Sequence, residues 1–149
     1  MQRVEKSIRV AASAQDAYQF WRNFENFPRF MENVKEVRLL DPSGKESHWV
    51  IEGPLGTKAE FNARITQDEP GKSIGWNSID GNMGTTGNVT FSETENNTVV
   101  HVVMQWYDPP GGAVGEAASR LLQDPGEMLE QDLHRFKDVV ESNTAGRKR

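Results

Sequence analysis

Lys58-Ala59-Glu60-Phe61-Asn62-Ala63-Arg64-Ile65 alternates without a break. Ala59, Phe61, Ala63 and Ile65 fall on one side, Lys58, Glu60, Asn62 and Arg64 on the other. Successive strand side chains point to opposite faces, so this stretch predicts a β-strand with one dry and one wet face. The pattern recurs on both sides of it, in Trp49/Ile51, Ile74/Trp76 and Val89/Phe91. Turn signals separate the runs: Asp41-Pro42-Ser43-Gly44, Gly53-Pro54-Leu55-Gly56, Asp68-Glu69-Pro70-Gly71, Asp80-Gly81-Asn82 and Glu95-Asn96-Asn97. Val34 to Tyr107 is therefore expected to be a meander of antiparallel strands. Its last strand carries Val100, Val102, Met104 and Trp106 on one face and Val99, Val103 and Tyr107 on the other. Such a strand is central or covered, and either face could be the inner one. The amino-terminal run alternates too, with Val4, Ile8 and Val10 on one side, and Lys6 spoils that side.

Helical periods flank the meander. Ser13, with Asp16 three residues on, makes an approximate capping box ahead of Ala17, Phe20, Trp21 and Phe24. A second short helix is expected from Pro28, since proline suits a first helical turn. Phe27, Phe30 and Met31 would supply its apolar contacts. Beyond Pro109-Pro110-Gly111-Gly112, Val114, Ala117, Ala118 and Leu121 form one stripe, and Leu129, Leu133, Phe136 and Val140 continue it in phase. Asp124-Pro125-Gly126-Glu127 lies between the two stripes, predicting one long helix kinked or briefly broken at Pro125.

The fold class expected is α+β: a curved seven-stranded antiparallel sheet gripping a long carboxyl-terminal helix, with two short helices between strands 1 and 2. Large antiparallel sheets twist and curl, and a helix laid across the concave side leaves a hollow that it does not fill. Small residues on the helix (Ala113, Ala117, Ala118) would face large ones on the sheet. Such spaces hold small molecules.

Composition fits one domain. A chain of 149 residues buries roughly 68–70% of its unfolded surface. Mean hydropathy is low at -0.69, but four Trp, seven Phe and two Tyr supply a core. Residues 1–149 are read as one ligand-binding domain, with about 143–149 a disordered basic tail ending in Arg147-Lys148-Arg149. The net charge of -5, without a basic aromatic stripe, argues against nucleic acid. No apolar run reaches the ~20 residues of a membrane span, and the amino end lacks a secretion signal, so a cytoplasmic location is expected. The absence of Cys removes disulfides, thiolate nucleophiles and Cys-bound metals.

Particular stretches carry a family likeness. They are Ala17-Tyr18 with Trp21, then Glu25-Asn26-Phe27-Pro28-Arg29-Phe30-Met31, Glu52-Gly53-Pro54-Leu55-Gly56, Ile74-x-Trp76, Gly87-x-Val89-x-Phe91, and Asp132-Leu133-His134-Arg135-Phe136-Lys137 with Glu141. In this order they resemble the START-like (SRPBCC) helix-grip superfamily, in its polyketide cyclase/dehydrase-like branch, over nearly the whole chain. The resemblance implies a hydrophobic cavity under the terminal helix. Relatives use it to bind lipids, quinones, polyketides or plant hormones, and a minority catalyse aromatisation or cyclisation.

Chemistry-bearing residues are sparse. His48, His101 and His134 show no metal-ligand spacing. Ser78 and Ser92 sit in no nucleophile motif. Gly81 to Gly87 lacks the Gly-Lys-Ser/Thr ending of a phosphate loop and leads into a strand, so it is read as a flexible hairpin. Glu52, Glu60 and Asp80 are read as solvated charges. No catalytic residue, metal or cofactor is implied. The aromatic residues remain, each worth roughly 1.5–3 kcal/mol if simply buried in a core. As a set, with apolar neighbours, they are expected to line the cavity, which gives Trp49, Phe61, Trp76, Val89, Phe91, Met104, Trp106, Leu121, Met128 and Leu129 as lining residues. Met83 would add adaptable surface, and Tyr107 and Asn88 polar contacts. The partner expected is a small hydrophobic or amphipathic ligand, with no oligomeric state implied. Two alternatives stand beside this. One is a cyclase or dehydratase, needing an inward ionisable group such as Lys6, Arg64, Asp80 or His101. The other is a protein-interaction module.

Overall fold

The computed structural model describes residues 2–52, 58–81, 84–95, 97–107 and 125–147; of Gln2, Trp106, Tyr107, Pro125 and 143–147 it describes the backbone alone. Seven strands, β1 (Gln2–Val10), β2 (Val34–Leu39), β3 (Glu46–Glu52), β4 (Lys58–Glu69), β5 (Ser73–Gly81), β6 (Gly84–Thr94) and β7 (Asn97–Tyr107), form one sheet. Its order is β1-β7-β6-β5-β4-β3-β2, antiparallel throughout, so the meander closes with β1 beside β7. The expected α+β helix-grip architecture is the one observed. Strand alternation holds where it was read: Ala59, Phe61, Ala63 and Ile65 of β4 are buried, and Lys58, Glu60 and Arg64 are exposed. On β7 the inner face is the one with Val100, Val102 and Met104, while Val99 and Val103 are half-buried on the outer face.

Two irregularities along β4 bend the sheet. Asn62 pairs with Asp80 and Ala63 with Ser78, which leaves Ile79 unpaired and pushed outward; Thr66 is skipped in the same way between Ile65 and Gln67. Each inserted residue raises the local twist. Gly81 ends β5 with φ of +123°, and a Cβ there would stand 2.4 Å from the Glu60 carbonyl oxygen. Only glycine suits both demands.

Helix α1 (Ala14–Arg22) starts as expected, with the Ser13 hydroxyl accepting from the Asp16 amide at 3.1 Å. The second short helix departs from expectation. It is a 3₁₀ helix over Phe24–Arg29, capped by Asn23, and Pro28 lies near its end rather than at its start. The Asn23 side chain accepts from the Glu25 amide and fixes the start there. Phe24, Phe27 and Phe30 recur every third residue, the 3₁₀ period, so all three point into the core.

Helix α2 (Pro125–Arg147) begins at the proline. The stripe preceding it, with Ala113, Ala117, Ala118 and Leu121, lies outside the described residues, as do Met83 and the turn at 53–57. The backbone of α2 runs on to Arg147. Once a helix is nucleated each added residue brings a hydrogen bond, and a basic end suits the carboxyl-terminal dipole. Leu129, Leu133, Phe136 and Val140 are buried as one stripe. Among the described residues, the backbone of α2 lies most extensively against the edge strand β1, with α1 and the 3₁₀ helix beside it. Glu141 fastens this arrangement by accepting from the Ala11 amide at 2.7 Å.

Candidate functional site

The inner face of the sheet is a grid set by strand register. One row runs Val4–Met104–Gly87–Trp76, and the next runs Lys6–Val102–Val89–Ile74. Trp76 fits because its row neighbour has no side chain. A Cβ on Gly87 would lie 2.3 Å from Trp76 Cζ2, so the indole lies flat over β6. Further across, Trp49 stacks on Phe61 with ring centroids 5.2 Å apart.

Helices deliver the opposing aromatics. Trp21 from α1 approaches Trp76 (6.2 Å) and Phe136 of α2 (5.2 Å). Phe24 and Phe27 meet Trp49 at 5.8 and 5.0 Å. Strand aromatics proposed from the sequence as cavity lining, Trp49, Phe61 and Trp76, thus share one cluster with Trp21, Phe24, Phe27, Phe30 and Phe136, which sequence reasoning had assigned to helix faces alone. Val89, Met104 and Leu129 are buried inward on their elements, Phe91 packs edge-on against Tyr18, and Met128 is half-buried on α2. Trp106 keeps the inner-face register of β7, but its side chain, like Leu121, lies outside the described residues.

Within this dry cluster the polar atoms are not treated alike. Trp49 Nε1–H donates to Ser47 Oγ at 2.8 Å. Trp21 and Trp76 are both completely buried, and their Nε1–H groups find no hydrogen-bond partner among the described residues. A buried donor left unpaired costs about 1–3 kcal/mol, which an acceptor arriving from outside the chain returns.

Ionisable residues named from the sequence mostly face outward. Arg64 is exposed and pairs with Glu46 at 3.0 Å; Asp80 accepts from the Asn62 amide. His48 bridges Asn62 and Glu60, at 2.7 and 2.9 Å. His101 lies between Ser7 Oγ (2.5 Å) and Glu5 Oε2 (2.7 Å). That serine–histidine–carboxylate line sits on the outer face of β1 and β7, away from the apolar cluster. His134 is exposed, and Asn88 bonds Gln67 on the outer face. Among the described residues no group of three His, Asp or Glu is placed to hold a metal.

Two polar clusters escaped the sequence reading. An open cleft of about 400 Å³ lies between α1, the β2–β3 turn and the end of β4. In it Tyr18 donates to Asp68 at 2.5 Å, and Arg22 spends its guanidinium on Asp68 and the carbonyls of Ser43 and Gly44. Burial, helped by Asp68, pushes the Tyr18 hydroxyl up to about 12. Burial works against the Asp68 carboxylate, but Tyr18 and Arg22 outweigh it and hold the pKa below the ordinary value. This cluster ties α1 to the turn.

The second cluster is Asp132 on α2, buried against the segment after the 3₁₀ helix. It accepts from Arg135 and from the Glu32 amide, while Arg135 also donates to the Phe30 carbonyl at 3.0 Å. Burial raises its pKa to about 6 against the opposing pull of Arg135. Between about pH 4 and 6 the folded chain therefore holds a proton that the unfolded chain has released. The stability this contributes is present below the unfolded pKa and is lost as pH rises through about 6. Relative to Asp132→Asn, the wild type should lose about 2 kcal/mol between pH 4 and pH 7. Urea unfolding of both proteins at the two pH values measures this, and parallel profiles would contradict it.

Comparison with known proteins adds a family. Residues 10–132 match the model for polyketide cyclase / dehydrase and lipid transport proteins. The chain belongs to that family. An uncharacterised 17.2 kDa protein of Streptomyces lincolnensis is 30% identical over 141 residues, covering 95% of this chain and 91% of that one. Among solved structures, DR_A0006 of Deinococcus radiodurans superposes with a TM-score of 0.75 at 28% identity, covering 96% of this chain and 99% of that one. A START superfamily protein of Mycobacterium smegmatis does so with a TM-score of 0.73 at 20% identity, covering 95% and 99%. The last of these speaks for the fold alone. Family and fold support a hydrophobic ligand-binding scaffold or a polyketide cyclase. Among the described residues, no helix is long and apolar enough to cross a membrane.

Proposed function

We propose that this chain binds a small hydrophobic or amphipathic molecule of lipid, quinone or polyketide-like type between the inner face of the sheet and α2. Binding is driven by desolvation, the ligand exchanging water for an apolar surface while one or two polar groups orient it. Trp76, Val89, Phe91, Met104, Met128 and Leu129 would line the site, with Trp49 and Phe61 at its aromatic end and Trp106 and Leu121 completing it. The observation that carries this reading is the pair of buried indole N–H groups, of Trp21 and Trp76, that have no partner among the described residues. They favour a ligand bearing an oxygen acceptor, such as a carbonyl.

Catalysis is the weaker reading. A cyclase or dehydratase needs acid–base groups facing the substrate. Arg64, Asp80 and His101 lie on the outer face in ion pairs or hydrogen bonds, so only Lys6 of the sequence-derived candidates stays inside. Native mass spectrometry of freshly purified protein, with organic extraction, tests the binding reading. The expected result is a mass excess from an apolar small molecule released by solvent. Protein of the bare chain mass that also takes up no added lipid or quinone would contradict it.

A further inference from the structure

Lys6 occupies a position where β1 otherwise presents apolar side chains. Val4 and Ile8 on the same face are half-buried, and Val10 is fully buried. In the row that crosses the sheet from Lys6, Val102, Val89 and Ile74 are all completely buried. Lys6 is itself half-buried, and its Cε lies 3.8 Å from where a Cβ on Gly126 would stand. The side chain therefore passes beneath the first turn of α2, at the margin of the inner face. Arg22, Arg64, Arg135 and Lys137 all have carboxylate partners. Lys6 has neither an ion-pair nor a hydrogen-bond partner among the described residues. A cation drawn partly out of water without a countercharge is costly, and an incoming anion removes the cost.

We propose, resting on the binding reading above, that Lys6 selects the ligand's head group and that the ligand is a carboxylate-bearing amphiphile. The carboxylate meets the Lys6 ammonium, and the apolar body crosses β7 and β6 towards Trp76. Lys6 and Trp76 stand three strands apart, which is ~14 Å at the usual strand spacing. That span suits a medium-length acyl chain.

The test is calorimetric titration of the full chain with dodecanoate and with methyl dodecanoate, at a pH where the acid is ionised. Wild type should bind the carboxylate about tenfold to a hundredfold tighter than the ester, the worth of a charge-assisted hydrogen bond. Lys6→Met should weaken dodecanoate to the level of the ester and leave the ester unchanged, with a thermal midpoint equal to or above wild type. Lys6→Arg should keep the preference. Equal affinities in wild type, or a preference surviving in Lys6→Met, would overturn the role of Lys6 and leave the binding site standing. Failure of wild type to bind either compound would instead remove the binding reading on which this inference rests.

Discussion

Replacing Gly87 by leucine should lower the unfolding free energy by about 3 kcal/mol or more, and by alanine by about 1–3 kcal/mol. The cause is the Trp76 indole. A Cβ at this position would stand 2.3, 2.7 and 2.9 Å from Cζ2, Cε2 and Cη2 of that ring. The ring has nowhere to retreat, because Trp21, Phe24 and Phe27 pack on it from the helices. If this contact is the source of the cost, Trp76→Leu should recover part of it when combined with Gly87→Leu. The two changes would then be strongly non-additive in a double-mutant cycle. Urea unfolding measures each member. A Gly87→Ala protein as stable as wild type would mean that Trp76 lies elsewhere in solution.

Phe27→Ala should be the most damaging single truncation, costing about 3–5 kcal/mol. Phe27 is completely buried and has five aromatic neighbours: Phe24 at 4.5 Å, Trp49 at 5.0 Å, Phe30 at 5.5 Å, Trp21 at 5.6 Å and Trp76 at 6.4 Å. It joins the 3₁₀ helix to α1 and to the middle of the sheet, so its loss opens a cavity that no single element can close. Set against a domain stability of about 5–15 kcal/mol, this is a large fraction. The exposed Leu40→Ala serves as control and should stay within about 0.5 kcal/mol of wild type. A modest loss at Phe27, comparable to that control, would contradict the packing described.

Strands with one wet face are legible in the sequence, because a period of two then marks the dry one. That is why β4 was read correctly from Ala59 to Ile65, while the inner face of β7, apolar on both sides, needed the structure. The α2 stripe was equally plain. The start of the 3₁₀ helix differs from the one Pro28 suggests, because the Asn23 cap and the three-residue period of Phe24, Phe27 and Phe30 set it four residues earlier. Trp49 and Ser47 are two apart on one strand, so they share a face, and their hydrogen bond could have been foreseen. That Trp21 and Trp76 have no partner among the described residues could not, since it depends on which layers meet. Lys6 stood out early as the misfit of β1, and only the register showed how apolar its row is.

The most direct measurement follows the indole N–H resonances of ¹⁵N-tryptophan-labelled protein while an apolar carbonyl compound, such as a long-chain quinone, is added. Trp21 or Trp76 should shift downfield as its donor gains an acceptor, with Trp49, already bonded to Ser47, staying in place. Indole signals that remain fixed up to the solubility limit of the added compound would contradict the account.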